Sequence, residues 1–315
     1  MHRFAAVFLI LALAPTGRAS ADSDGPWSLE LSMAGNYPVV SARTPGREAP
    51  LRLVVDTAAG GTVLDTALAQ QLGLTAGESI EVRGASGAST TQRASQPLRL
   101  TLVEGLTIAV QPILTDMSRF GSADIAYDGI LGNDVLRQFE VRFDVPAGDL
   151  VLALPGVGPS PVADLKCIDN QRPGDAGPRL AGFGLFDLTL GIAGEQPREA
   201  KVRAVLDTGA AATVLNHAAA AALGVAEGDP RLRPYEAGTK GFAADAIATE
   251  LMDLASAQVA DWRAGSATVR VSELPVFQVL DLHQQPAAIL GIDLLRQVPV
   301  GLTAGVGRLC FGTTP

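Results

Sequence analysis

Residues 54–65 read VVDTAAGGTVLD, and residues 205–216 read VLDTGAAATVLN. Around these two stretches the chain repeats itself. Residues 55–74 (VDTAAGGTVLDTALAQQLGL) align without a gap to 206–225 (LDTGAAATVLNHAAAAALGV), and ten of the twenty positions are identical. A second block follows in the same order: ILGNDVLRQ (130–138) matches ILGIDLLRQ (289–297) at seven of nine positions. Each copy then runs into an apolar, turn-interrupted stretch, FEVRFDVPAGDLVLALPG in one half and VPVGLTAGVGRLCFG in the other. Two blocks repeated in one order mark a duplication, and such repetition decides an architecture before any other feature does. Between the copies, PGVGPSPVADLKCIDNQRPGDAGPRL (155–180) is dense in Pro, Gly, Asp and Asn and reads as a linker. The expected lobes are therefore Asp22–Leu154 and Ala181–Pro315.

Each lobe reads as β-rich. LRLVVDT and KVRAVLDT are short apolar strands ending at the acidic turn, each preceded by another strand, YPVVSAR or LFDLTLGIA. LDTALAQQLGL and LNHAAAAALGV predict short helices, with Asp65 or Asn216 as N-cap and Gly73 or Gly224 closing the end. The ILG segments predict a strand end entering a helical turn. With 34 Gly, 20 Pro and many short Val/Leu/Thr runs, the composition favours strands and turns over long helices. The expected class is all-β with short helices.

The first 21 residues, MHRFAAVFLILALAPTGRASA, combine a weakly basic start with an apolar stretch from Phe4 to Ala14 and a small-x-small Ala19-Ser20-Ala21. That pattern predicts a cleaved signal peptide and a periplasmic or secreted protein, the alternative being an uncleaved anchor. The apolar stretch is shorter than the roughly 20 residues a spanning helix needs, and no later segment reaches that length. A soluble mature chain is expected. A net charge of −9 without basic clusters argues against nucleic acid as a partner. Cys167 and Cys310 are the two cysteines; in an oxidising compartment they would form one disulfide, the alternative being two separate thiols. No CxxC or spaced histidine pattern predicts a metal, and no phosphate-binding glycine loop or nucleophile elbow predicts a cofactor or a serine nucleophile.

A single Asp-Thr at a strand end is usually a turn in which both side chains bond nearby amides. Two copies, one per lobe, change the chemistry available. A pseudo-twofold axis between the lobes would bring Asp56 and Asp207 face to face. Two carboxylates held that close share one proton. The ionised one can then take a proton from a water while the neutral one polarises a peptide carbonyl, so hydrolysis needs no metal and no covalent intermediate. Thr57 and Thr208 are placed to bond across the axis. The small residues that follow, Ala58 and Ala59 in one copy and Gly209 and Ala210 in the other, let backbone N–H groups approach the carboxylates.

DTGAAATVL followed about eighty residues later by AAILGIDLL resembles the retropepsin-like aspartic proteases, and the resemblance covers nearly all of the chain after residue 21, counting both lobes. It implies two tandem acid-protease β-barrel lobes in one chain, a pepsin-like pairing that acts as a monomer on a polypeptide substrate. It implies that Ile130-Leu131-Gly132 and Ile289-Leu290-Gly291 pass through the acidic loops and support them. It also implies a glycine-bearing flap. Gly84-Ala85-Ser86-Gly87 holds that place in lobe one and Gly238-Thr239-Lys240-Gly241 in lobe two, ordinary hairpin turns being the alternative. Lobe one departs from the pattern at Ala58, where the usual residue is Gly. A positive φ at this position would strain an alanine by roughly 1 kcal/mol. The expected activity is that of an aspartic endopeptidase, with a catalytically inactive peptide-binding module as the alternative.

Overall fold

The structure, a computed structural model, describes residues 18–21, 25–119, 126–171, 182–194, 197–241 and 246–313. Strands account for 46% and helices for 11%, and the helices are short, so the protein is all-β.

The duplication seen in the sequence is a duplication of sheet topology. From one edge, the lobe-one sheet runs Ala76–Gly84, Gly87–Ala94, Ile113–Thr115, Val63–Asp65, Gly129–Leu131, Leu51–Val55, Tyr37–Ala42 and Ser32–Ala34. The lobe-two sheet runs Arg233–Pro234, Glu250–Leu254, Ala267–Val271, Val214–Leu215, Ala287–Leu290, Arg198–Leu206 and Leu185–Ile192, then Ser256–Val259 and Trp262–Ala264. The first seven strands correspond one to one, and so do their directions. In both lobes the ILG strand is parallel to the strand that ends at the acidic residue and antiparallel to the strand that follows the acidic turn.

Local chemistry explains the short elements. The Asp65 carboxylate accepts the Leu68 N–H at 2.9 Å and starts the helix Thr66–Gln71. Asn216 does the same for the helix His217–Ala222 through the Ala219 N–H, also at 2.9 Å. Such caps satisfy N–H groups that have no partner within the helix. Gly73 and Gly224 close these helices at φ +72 and +77, a conformation that favours glycine.

A third sheet joins the halves. Its order is Lys166–Asp169, Arg308–Phe311, Val300–Leu302, Glu140–Asp144, Asp149–Ala153, Trp27–Glu30. The two apolar runs after the ILG blocks form its centre, where Val141 pairs with Leu302. The pattern is symmetric about that pair, so Lys166–Asp169, inside the stretch read as a linker, is the counterpart of Trp27–Glu30. Cys167 and Cys310 face each other on neighbouring strands and form a disulfide. Residues 172–180 of the expected linker, and residue 181 at the expected start of lobe two, lie outside the described residues. The main core packs between this sheet and the two lobes, with Phe139, Phe186, Trp262 and Phe311 fully buried.

Most of the expected signal peptide, residues 1–17, also lies outside the described residues. Its last four, Arg18–Ala21, pair with Leu106–Val110 at the edge of a small three-stranded sheet. Among the described residues no helix is long and apolar enough to cross a membrane.

Candidate active site

Asp56 and Asp207 each stand one residue beyond the strand that delivers them, Leu51–Val55 and Arg198–Leu206. Their backbone N–H groups donate to the carbonyls of Leu131 (3.1 Å) and Leu290 (3.0 Å), so each ILG strand anchors the acidic residue directly. Glycine is required where that strand crosses the acidic loop. A Cβ on Gly132 would lie 2.6 Å from the Gly61 carbonyl, and one on Gly291 would lie 2.7 Å from the Ala210 oxygen. Just past these glycines, the N–H of Asn133 donates to Ala59 O at 2.7 Å and that of Ile292 to Ala210 O at 2.8 Å. Ile130, Leu131, Ile289 and Leu290 are fully buried beneath the two loops.

The loops grip each other across the pseudo-twofold axis. Thr57 N–H donates to Thr208 Oγ1 (3.1 Å) and Thr208 N–H to Thr57 Oγ1 (3.0 Å). The two hydroxyls donate in turn to Leu206 O (3.0 Å) and Val55 O (2.8 Å), the residues just before each aspartate. Four reciprocal hydrogen bonds, all buried, hold together residues about 150 positions apart in the chain. Buried hydrogen bonds at full satisfaction impose a single geometry.

Asp56 and Asp207 are fully buried. Asp56 Oδ1 accepts the Ala58 N–H at 2.7 Å, and the Gly209 and Ala210 amides act on Asp207 as those of Ala58 and Ala59 act on Asp56. Burial drives both carboxyl groups upward from the ordinary carboxylate range. For Asp207 the neighbouring charge of Asp56 adds to this, and for Asp56 the amides of Ala58 and Ala59 work in the opposite direction. Desolvation and like charge both disfavour a second ionisation, so the pair retains a proton well above the pH at which an isolated carboxyl loses it.

The lobes are not equivalent at the next residue. A Cβ on Gly209 would sit 2.3 Å from the Asp56 carboxylate, which excludes any side chain there. Ala58 carries a methyl at the matching position, fully buried in a cluster that also holds Ala85, Ala210 and Phe183. Neither Ala58 nor Gly209 has a positive φ. The condition under which Ala58 would be strained is therefore not met, and at Gly209 the constraint is the opposite carboxylate rather than the backbone.

The candidate flap of lobe one is the tip of a long hairpin, Ala76–Gly84 with Gly87–Ala94, turning through Ala85 and Ser86. Ala85 is fully buried in the cluster that contains Ala58 and Ala210, so the hairpin is closed down on the acidic loops. In lobe two, Gly238 turns at φ +63, Thr239 bridges Ile247 and is fully buried, and Lys240 is half-buried. Gly241 N–H donates to Ser86 Oγ at 3.2 Å, and a Cβ on Gly241 would lie 2.9 Å from Ala85 Cβ. The structure thus brings the two glycine-bearing segments together.

Two further pairs support the loops and were not singled out from the sequence. Thr62 Oγ1 donates to the buried Asp134 carboxylate at 2.8 Å, and Thr213 Oγ1 donates to Asp293 at 2.7 Å. All four residues are identical between the repeats, which was the available signal. Burial raises both carboxyl groups above their ordinary range, against the hydrogen bonds that they accept. His217 is exposed between Glu250 and Glu273. Among the described residues no group of three or more His, Cys, Asp or Glu is placed to hold a metal ion.

No curated protein matches the chain. One family model does, described as aspartyl protease, and it matches twice, over residues 40–135 and 191–294, together more than half of the chain. Each match contains one Asp-Thr turn and one ILG strand. The chain belongs to the aspartyl protease family, as a retropepsin-like member whose lobe is duplicated.

Proposed function

We propose that this protein is an exported aspartic endopeptidase in which Asp56 and Asp207 form one catalytic pair. The observation that carries this reading is the placement of two buried carboxylates, one from each lobe, on loops held by the reciprocal Thr57–Thr208 bonds, with burial pushing both carboxyl groups upward. In the singly protonated pair, the ionised carboxylate accepts a proton from a water while the neutral one donates its proton toward the substrate carbonyl oxygen. The water oxygen attacks the carbonyl carbon, the amide nitrogen is protonated, and the C–N bond breaks. No group outside the pair is needed to balance the protons. Both carboxylates are shielded in the closed arrangement, so the Ala76–Ala94 hairpin lifts to admit a polypeptide and closes again to exclude bulk water. One chain supplies both halves of the site, so the active unit is a monomer. The N-terminal leader pattern and the Cys167–Cys310 disulfide favour work outside the cytoplasm, in the periplasm or secreted medium.

The Ala58 methyl favours a second reading, a peptide-binding module without turnover, because the matching site in the other lobe tolerates no Cβ. Cleavage of an unfolded protein substrate between about pH 3 and pH 8 separates the two. Wild-type cleavage lost in Asp207→Asn supports the dyad. Folded wild-type protein that cleaves at no pH overturns it, and turnover restored by Ala58→Gly would then place the defect at that methyl.

A further inference from the structure

A cavity of about 320 Å³ opens beside the lobe-two acidic loop, between Ala211 and Ala212 on one side and Asn36 of lobe one on the other. Ala211 and Ala212 lie four and five residues past Asp207 on the same acidic loop and Asn36 comes from lobe one, so the cavity adjoins that loop where the two lobes meet. Two guanidinium groups line the cavity, Arg270 and Arg296. One carboxylate does, Asp293, and it is engaged by Thr213 N–H (2.9 Å), Thr213 Oγ1 (2.7 Å) and Leu294 N–H (2.9 Å).

Arg270 is an unusual residue for its position. It pairs with Val214 in the strand next to the acidic turn, and in lobe one the equivalent partner of Val63 is Ile113, a fully buried core residue. The duplication thus places a buried cation in one lobe where its twin has an aliphatic side chain. Burying a charge is unfavourable unless something compensates it. Arg270 is positioned by the Thr239 hydroxyl at 3.2 Å and by the Tyr235 ring 4.8 Å below its guanidinium carbon. Burial still pulls the guanidinium below its ordinary range, against the opposing influence of Tyr235, Tyr37 and Asp293. An arriving carboxylate would reverse that direction and make charge-assisted hydrogen bonds in a partly dry site.

We propose that this cavity receives an acidic side chain of the bound peptide, with Arg270 as the residue that selects it. The inference rests on the peptidase reading of the same cleft and narrows its substrates to polypeptides with Glu or Asp near the scissile bond. Its test separates the two. Octapeptides that differ only by Glu or Gln at one position, scanned along the peptide, are titrated into the Asp207→Asn protein, which holds them uncut. At one position Glu binds about tenfold more tightly than Gln, equivalent to about 1.4 kcal/mol, and added salt narrows the gap. Arg270→Gln removes the preference. Thr268→Asp, an exposed change on the cavity wall that removes the Thr268–Asp253 hydrogen bond, abolishes or reverses it and covers the case in which the Arg270 variant fails to fold. Equal binding of Glu and Gln at every position overturns the proposal, as does a preference that survives in both folded variants. Wild-type protein that cleaves none of these peptides while the Glu preference persists sinks the peptidase reading alone. Cleavage without any acidic preference sinks this proposal alone.

Discussion

Replacing both Asp56 and Asp207 by Asn should stabilise the protein at neutral pH and do so progressively less as the pH falls. An unfolded aspartate loses its proton near 3.8. In the folded pair, burial and mutual charge hold at least one proton far above that. The sign follows from linkage: where the native state binds more protons than the unfolded one, stability falls as pH rises. The stability that goes with the shared proton is fully present below about pH 3.8 and is lost as the pH climbs toward the raised folded value. One excess proton costs about 1.4 kcal/mol per pH unit, so between about pH 4 and pH 7 the wild type loses roughly 4 kcal/mol that the double Asn variant keeps. The assay is urea unfolding of both proteins at each pH, with the disulfide intact. The difference between the two curves is the readout. It cancels the contributions of Asp134, Asp164, Asp229, Asp253 and Asp293, whose shifts run in both directions. A pH-independent offset from the amide groups is expected and is immaterial. If the two stability profiles run parallel from pH 4 to pH 7, the carboxylates do not share a proton and the reasoning fails.

Three further outcomes follow from the geometry. Thr208→Val keeps the side-chain shape but deprives Thr57 N–H and Val55 O of their partners; unfolding free energy should drop by about 2–4 kcal/mol, and Thr57→Val should do the same through Leu206 O. Gly209→Ala drives a methyl onto the Asp56 carboxylate and should cut kcat for peptide cleavage by at least about a hundredfold, whereas Ala58→Gly should not lower it; comparable rates for Gly209→Ala and wild type would contradict the asymmetry. Reduction of Cys167–Cys310, or the double Ser variant, releases a loop of 143 residues and should lower stability by about 2–5 kcal/mol in a chemical denaturation series.

Much of the architecture was legible because its signals are local. The Asp65 and Asn216 caps, the helix-closing Gly73 and Gly224, and the strand endings before Asp56 and Asp207 depend on a few neighbouring residues, and the repeat doubled each signal. The strand inside the linker stretch was not legible, for the opposite reason. Lys166–Asp169 has little strand propensity beyond Cys167-Ile168 and is a strand because Arg308–Phe311 offers it a partner. Thr62, Thr213, Asp134 and Asp293 were visible as identities but not as pairs, since nothing nearby in the chain says that Thr62 meets Asp134.

By itself, then, the sequence determined that the chain is a duplicated all-β protein and which residues end the paired strands, because periodicity, caps and turn chemistry act within about ten residues and survive in any copy. Only the tertiary structure decided how the copies meet. The Thr57–Thr208 exchange, the burial of both carboxylates under the Ala85 tip and the cavity beside Arg270 join residues from opposite halves. Their free energies come from desolvation and from hydrogen bonds made across space, and those leave no trace in local sequence.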